Sequence, residues 1–432
     1  MIRNWPGRLS SLAPAQTALL VPLLLGIAIA WYFVPVNIGL GETGKAAVTL
    51  LNRGELADPY LIPTGPTAHV SPVIAGYLAL IFAWLGVGTE AARFALGVSA
   101  ACLYATSGFV TIKLLEQYGV SLWLRWTAAL LIAFVPFSLF MVAVQLRQWD
   151  QPLAALILMM GWLVVARLRK GADPIRSGLA LGGLAGLGGL VSPTLLPPFV
   201  LCIGWMSWLS WRGIIARQWW IGAASALVLI LAFLLPWGIR NQQALGQFIV
   251  TRSNFGLELA LGNRTLNPAV PYVANIRNVP LDFTVHPFES LPAAQDLART
   301  GEIAFMQARR DEAVSWILHD IPRFIQHCLL RASLWLFPVQ GDYFPILGPL
   351  LPFLYWNLLG FGLAVALSAT LLMRARIMEG LIFVVLPMAP YFLTHMNPRY
   401  SYLVYFSSIA FCIIMADAAF SRGRALTIQR VK

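Results

Sequence analysis

Uninterrupted apolar runs of about 20 residues recur along this chain of 432 residues. A helix of that length is needed to cross about 30 Å of hydrocarbon. Because the runs are continuous rather than alternating, they predict membrane-spanning helices and not the strands of a barrel. Charged residues make up 11% of the chain, against about 25% in soluble proteins. The sequence therefore predicts an all-α polytopic membrane protein.

Ten spans are predicted, together with one shorter apolar helix. The spans cover residues 15–34, 93–112, 126–144, 153–165, 178–191, 195–211, 219–236, 350–372, 381–394 and 403–419. Residues 71–86 would rise only about 24 Å as a helix, so we predict a juxtamembrane helix there. Arg3 and Arg8 hold the start of the first span in the cytoplasm, and lysines and arginines follow alternate spans. Both termini are therefore expected in the cytoplasm.

The remaining composition excludes several other classes of protein. The net charge of +12 does not indicate nucleic-acid binding, because the basic residues lie at the ends of apolar spans. The four cysteines are far apart and show neither a disulfide framework nor metal-ligand spacing. No glycine-rich phosphate motif or G-x-S-x-G elbow is present, so no nucleotide cofactor is expected.

We treat the chain as one transmembrane domain, residues 1–432, with two long external segments. Residues 36–72 form the first external loop, and residues 237–340 form a large external loop or cap. Residues 350–420 supply the C-terminal helices and include the short polar stretch 395–400. The alternation of spans places the polar stretches on one side of the membrane, where we predict the active site.

Five stretches carry a resemblance to a known family. They read GETGKAAVTLLNRGELADPYLIPTGPTAHVSP, PWGIRNQQALGQFIVTRSNFGLELALGN, HPFES, GEIAFMQARRDEAVSWILHDIPRFIQHCLLRASLWLFP and NPRYSYLVYF. Together they resemble the bacterial GT-C glycosyltransferases, specifically the protein-mannosyltransferase and aminoarabinose-transferase-like group. The resemblance implies a helical bundle around an outward-facing cavity. It also implies transfer of a sugar from a polyprenyl-phosphate carrier to a lipid, glycan or protein acceptor, on the periplasmic side of the bacterial inner membrane.

The resemblance implies a key acid in the first external loop. Relatives usually carry aspartate there, and Glu42 stands at the matching position, with Asp58 as the alternative. One carboxylate acting as the base contributes about 10²–10⁴-fold. Glu42 can also be explained as a loop carboxylate paired with Lys45, and Asp58 as a turn residue. Asp150 is the third candidate acid, because relatives carry an acid near this place; it can equally be an acid at a helix N-terminus.

The leaving phosphate needs cations, and arginine binds phosphate through a bidentate fork. The candidates for binding substrate are basic or aromatic residues of the external stretches: His69, Arg147, Arg240, Arg252, His286, His395, Arg399 and Tyr400. Arginines near a membrane surface also occur simply to meet lipid headgroups. Relatives differ in metal use, so a divalent cation held by Glu42, Asp150 and a phosphate stays open.

Two other functions are compatible with the same basic residues and the same lipid carrier. A transporter or flippase of lipid-linked glycans would use a basic groove without a base, and a polymerase or ligase would share the carrier chemistry. Internal repeats and charges in the middle of spans would favour transport. The sequence shows neither, since its charges cluster at span ends. A glycosyltransferase is therefore the preferred interpretation.

Overall fold

The computed structural model describes residues 5–266, 273–276, 279–338, 350–373 and 376–431. Its helices are α1 (Trp5–Tyr32), α2 (Glu42–Arg53), α3 (Pro72–Leu85), α4 (Glu90–Gln117), α5 (Leu122–Ala133), α6 (Pro136–Phe140), α7 (Gln151–Leu168), α8 (Pro174–Val191), α9 (Leu196–Trp211), α10 (Trp219–Leu245), α11 (Phe255–Gly262), α12 (Leu291–Thr300), α13 (Glu302–His319), α14 (Ile321–Leu336), α15 (Leu350–Met373), α16 (Ile377–Gly380), α17 (Ala389–Leu393) and α18 (Tyr405–Val431). Strands β1 (Val273–Ile276) and β2 (Val279–Asp282) form an antiparallel hairpin. Arg3 and parts of the 237–340 segment lie outside the described residues.

The all-helical, multi-pass class predicted from the sequence is confirmed. In the described part of the chain, eight helices are long and apolar enough to cross a membrane, and the bent pair α5–α6 makes a ninth. The predicted span at 381–394 differs, because it belongs to a shorter, broken apolar helix from Ile377 to Leu393. Pro387 and Pro390 interrupt the helical hydrogen bonds there. Helix α3 has 14 residues and also falls below the length of a span.

The path of the chain gathers the candidate residues at one end of the bundle. Helices α1, α8, α10 and α17 end there, and α7, α9 and α18 begin there. The segments between them therefore meet, although they are up to about 360 residues apart in sequence. The candidate site lies at this end because successive long helices run in opposite directions, so that every second connection falls at the same end of the bundle.

A small second core lies in the polar segments at the same end of the bundle. It joins Tyr60 of the first loop to residues of α11, β2, α12 and α13. Tyr60 is 2% exposed and packs with Leu257, Leu297 and Phe305. Burial of these side chains stabilises the first loop against the cap, which fixes the segment that begins with Glu42.

Helices α8 and α10 pack through small residues. A Cβ added to Gly182 would lie 2.4 Å from the Cα of Ala226, and one added to Gly178 would lie 2.1 Å from the carbonyl oxygen of Gly222. Glycine at these places lets the two backbones approach closely, as in other membrane helix pairs. The glycine-rich α8 sequence thus determines which neighbour this helix packs against.

Gly182→Leu is expected to destabilise the bundle. The added side chain would overlap the α10 backbone, and overpacking of this kind costs typically about 1–3 kcal/mol. The melting temperature of the purified protein in detergent should fall by several degrees. Gly183→Leu is the matched control, because a Cβ at Gly183 meets nothing within 4 Å. Equal melting temperatures for the two variants would contradict this account of the α8–α10 contact.

Candidate active site

A cavity of about 330 Å³ lies where the polar segments meet at this end of the bundle. Its wall contains six of the residues predicted from the sequence: Glu42, His69, Asp150, Arg252, Arg399 and Tyr400. His286 contacts Glu42, and His395 contacts Tyr400. The structure therefore brings eight of the eleven candidates together around one cavity.

Glu42 is the first residue of α2 and faces two histidines. Its Oε1 lies 3.0 Å from Nε2 of His69 and 3.6 Å from Nε2 of His286. The position at a helix N-terminus also favours a carboxylate, because of the helix dipole. Lys45 does not pair with Glu42; its ammonium donates to the carbonyl oxygen of Tyr60 at 2.8 Å. The Glu42–Lys45 alternative is therefore wrong.

Nearby basic residues favour the ionised form of the Glu42 carboxyl. Burial raises the pKa of Glu42, but the charges of His69, His286 and Arg399 outweigh it and lower that pKa to about 2. Burial lowers the pKa of His69, but Glu42 raises it by more, and the net shift is upward. Burial lowers the pKa of His286 to about 4. At neutral pH, Glu42 is therefore an anion beside a neutral His286, and its nearest basic neighbour is His69.

A residue that the sequence analysis missed holds this loop in place. The Glu302 carboxylate accepts hydrogen bonds from the hydroxyls of Thr67 and Ser253 and from the backbone N–H of Ala68. Glu302 is 5% exposed. These bonds join α13 to the segment just before His69, and they fix the imidazole that faces Glu42. Glu302 lies in the GEIAFMQ stretch, and nothing local in that stretch distinguishes it from a surface glutamate.

A second acidic residue, Glu258, lines the same cavity as Glu42. Burial raises the pKa of Glu258 on α11. Its Oε2 lies 3.4 Å from Nδ1 of His395, and Nε2 of His395 lies 3.1 Å from the Tyr400 hydroxyl. Tyr400 also stacks on Tyr391, with ring centroids 4.0 Å apart. Glu258 belongs to the RSNFGLELALGN stretch, but its role as a cavity wall is visible only in the fold.

The two arginines of the cavity have different partners. Arg252 donates to Asp150 Oδ2 at 2.8 Å and to the carbonyl oxygen of Val191. Arg399 lies over the Trp149 ring, 3.9 Å from its centroid. Among the described residues, no carboxylate lies within salt-bridge distance of Arg399. Arg399 is thus the guanidinium of the cavity whose charge is available for a substrate anion.

Three candidates lie outside the cavity. Asp58 closes its own turn, because its Oδ1 accepts from the N–H groups of Thr64 and Gly65 at 2.8 Å each, and it pairs with Arg53. Arg240 donates to the carbonyl oxygens of Thr67 and Leu56 at 2.8 Å each. Both therefore shape the first loop.

Arg147 is the third of these candidates. It is 4% exposed and donates to the carbonyl oxygen of Val36. It does not line the main cavity. Trp149 and Asp150, which follow Arg147 in the same loop, line the cavity and contact Arg399 and Arg252.

Glu42, His69 and His286 also have the donor atoms of a cation site. One atom of each lies within 4.8 Å of the others. Two imidazole nitrogens and one carboxylate oxygen form a ligand set of catalytic zinc, so the three residues fit such an ion. Asp150, which the sequence analysis considered as a ligand, is instead paired with Arg252.

Zn²⁺ is expected to raise the melting temperature of the protein, because an ion that binds only the folded chain stabilises it. His286→Ala should abolish this increase, since it removes one of three ligands. His319→Ala is the control, because His319 is an exposed histidine at the end of α13. The same increase in wild type and His286→Ala would exclude a zinc site at these residues.

Comparison with known proteins supports the fold. The sequence matches no protein-family model and no curated protein. The structure is similar to that of the archaeal oligosaccharyltransferase AglB from Archaeoglobus fulgidus in complex with an inhibitory peptide and a dolichol-phosphate, with a TM-score of 0.54 and 15% identity over 98% of this chain. A second structure, of the Archaeoglobus fulgidus oligosaccharyltransferase tethered with an acceptor peptide, has a TM-score of 0.50 and 15% identity over 98% of this chain.

This chain covers 52% and 50% of the two matched chains, about half their length. At this identity the similarity establishes the fold. The chain is a multi-pass helical membrane protein, and its fold is similar to that of the matched half of the oligosaccharyltransferase chains. The helical bundle that the resemblance implied is therefore confirmed as the fold of this chain.

Proposed function

We propose that the protein is an integral-membrane glycosyltransferase that moves a sugar from a polyprenyl-phosphate carrier to an acceptor, with Glu42 as the base. The observation that carries this proposal is the pairing of Glu42 with His69 in a cavity that also contains Arg399. A base and a phosphate-binding cation are the two groups that this reaction needs. The AglB structures contain a dolichol-phosphate in one case and an acceptor peptide in another, which supports a lipid-phosphate donor here.

The proposed reaction is a single displacement. The acceptor hydroxyl or amine attacks C1 of the sugar while its proton passes to the Glu42 carboxylate. The bond between C1 and the phosphate oxygen breaks, and its electron pair stays on the phosphate. The phosphate leaves without a strong general acid, so a second carboxylic acid is not required. Inversion at C1 is expected, because one displacement occurs.

Arg399 would stabilise the charge that develops on the leaving phosphate. Its guanidinium is held against Trp149, so the fork is oriented before the donor arrives. The bound phosphate would also place negative charge in the cavity. That charge would raise the pKa of Glu42 from its low value in the empty site. Glu42 would then become a stronger base when the donor is in place.

The location and the parts of the chain follow from this proposal. We infer a bacterial inner-membrane protein whose cavity faces the periplasm, with both termini in the cytoplasm. Residues 36–72 would carry the base, residues 71–86 would lie along the membrane surface, and the 237–340 segment would form the cap. Residues 350–420 would contribute Arg399 and close the cavity from the opposite side.

Transfer by the purified protein in liposomes tests the function. The assay would supply radiolabelled polyprenyl-phosphate sugars and total membrane and periplasmic acceptors. We expect label to appear in a lipid, glycan or protein fraction only when both carrier and acceptor are present. Movement of the intact carrier across the bilayer without any transfer would instead support the transporter, and growth of glycan chains would support the polymerase.

A further inference from the structure

Glu258 is the acid of the cavity that is most open to a ligand, and the proposed reaction leaves it without a role. Glu42, Asp150 and Glu258 all line the cavity. The Glu258 side chain is 25% exposed, whereas those of Glu42 and Asp150 are 12% and 9% exposed. A molecule bound in the cavity therefore reaches the Glu258 carboxylate more easily than the other two.

Glu258 also lacks the cationic partner that Asp150 has in Arg252. Among the described residues, no lysine or arginine lies within salt-bridge distance of the Glu258 carboxylate. Its Oε1 accepts a hydrogen bond from Nδ2 of Asn254 at 2.9 Å. A carboxylate has about four acceptor positions, so Glu258 can still accept hydrogen bonds from a ligand.

The imidazole beside Glu258 does not cancel its charge. Nδ1 of His395 lies 3.4 Å from Oε2 of Glu258. Burial lowers the pKa of His395 to about 3, so the ring is neutral at neutral pH. Nε2 of the same ring lies 3.1 Å from the Tyr400 hydroxyl, which helps to hold the ring in place. The histidine therefore contacts the carboxylate without neutralising it.

The position of Glu258 indicates which part of the donor it meets. Burial raises the pKa of Glu258, the charges of His69 and Arg399 oppose this rise, and the charge of Glu42 adds to it. Glu258 thus lies within electrostatic reach of the proposed base and of the arginine proposed for the phosphate. In the proposed reaction, C1 of the sugar is bonded to the phosphate and is attacked by the acceptor beside Glu42. The sugar ring would therefore lie between these groups, within reach of Glu258.

We propose that Glu258 binds hydroxyl groups of the donor sugar and thereby selects the sugar that the protein transfers. Hydroxyl groups donate hydrogen bonds, and they would satisfy the acceptor positions that Glu258 presents to the cavity. A site that bonds a substrate hydroxyl discriminates against an analogue without it, because the polar group of the site is then left unpaired. The inference rests on the proposed function for the class of donor.

Binding by the full-length protein in detergent is the first test. The ligands are bare polyprenyl phosphate and polyprenyl phosphates that carry glucose, mannose or xylose. We expect Glu258→Gln to weaken binding of the best glycosylated carrier by about 10- to 100-fold, because a hydrogen bond to a charged group is lost. Bare polyprenyl phosphate should bind Glu258→Gln as well as wild type or better, since a negative charge is removed and Arg399 stays in place. An equal loss for the bare carrier would overturn the proposal.

A series of deoxy sugars tests direct contact. Each hydroxyl of the best-binding sugar is replaced in turn by hydrogen. Loss of the hydroxyl that Glu258 binds should weaken binding to wild type by about tenfold and binding to Glu258→Gln much less, because both changes remove the same contact. The wild-type series needs no variant, so it decides the matter even where Glu258→Gln fails to fold. Wild-type binding that no deoxy sugar weakens would contradict the proposal.

Glu289→Gln is the matched control. It makes the same substitution at an exposed glutamate of the 237–340 segment that does not line the cavity, and it should leave binding unchanged. An equal loss in this variant would remove the special role of Glu258.

Transfer measured in parallel separates this inference from the proposed function. Sugar-dependent binding that requires Glu258, without any transfer, would overturn the proposed function and support Glu258 as the sugar-binding residue. Transfer that Glu258→Gln leaves unchanged for every sugar would instead overturn this inference and leave the proposed function standing.

Discussion

Glu42→Gln is expected to lower sugar transfer by about 10²–10⁴-fold, the usual contribution of a general base. Glutamine has the same size and keeps a hydrogen-bond acceptor toward His69, 3.0 Å from the native carboxylate oxygen. Glutamine cannot, however, take up the proton that the attacking hydroxyl or amine of the acceptor substrate must lose. The loss should therefore fall on kcat, while donor binding stays close to that of wild type. The measurement is transfer from a radiolabelled polyprenyl-phosphate sugar, with carrier binding measured in parallel.

Asp58→Asn is the matched control for this prediction. It removes a charge from the same loop, but Asp58 bonds Thr64 and Gly65 and lies outside the cavity. We expect transfer by Asp58→Asn to stay within about tenfold of wild type, with a small loss of stability from the weakened turn. If Asp58→Asn abolished transfer and Glu42→Gln did not, the base would be assigned to the wrong carboxylate.

Arg399→Gln is expected to weaken donor binding by about 10- to 100-fold, because a hydrogen bond to a charged group contributes about 1.5–3 kcal/mol. We propose Arg399 for this role among the arginines because no described carboxylate pairs with it, whereas Arg252 is bound to Asp150. Arg399→Lys should lie between wild type and Arg399→Gln, since it keeps the charge and loses the fork. The measurement is the Kd for a polyprenyl-phosphate in detergent.

Arg240→Gln distinguishes phosphate binding from a general effect of charge. Arg240 donates to two carbonyl oxygens of the first loop and lies outside the cavity. Its removal should lower the melting temperature and leave the Kd of the folded protein nearly unchanged. Equal Kd values for wild type and Arg399→Gln would remove Arg399 from the proposed phosphate site.

The sequence predicted most of the membrane architecture because hydropathy is a local property. A run of about 20 apolar residues has few alternatives to a spanning helix. The prediction was weakest at residues 381–394, where prolines shorten and break the helix. The predicted number of spans was therefore too high at this place, because mean hydropathy over a window does not detect the prolines that interrupt the helix.

The candidate site was predicted less completely, because its chemistry depends on contacts between distant residues. Glu42 and Asp58 are both loop carboxylates in one motif, and the sequence left both open. Glu42 lies beside His286, more than two hundred positions away, whereas Asp58 bonds its own turn. Glu258 and Glu302 were missed for the same reason, since their partners come from other segments.

The class of protein, its helices and the end of the bundle at which the polar segments meet could all be predicted from the sequence, because periodicity and charge act over short stretches of chain. Which side chains share the cavity depends instead on packing in three dimensions. The fold pairs Asp150 with Arg252, leaves Arg399 without a carboxylate partner among the described residues, and buries Arg147 outside the main cavity. Side-chain pairing across distant segments depends on packing in three dimensions, and no local pattern encodes it.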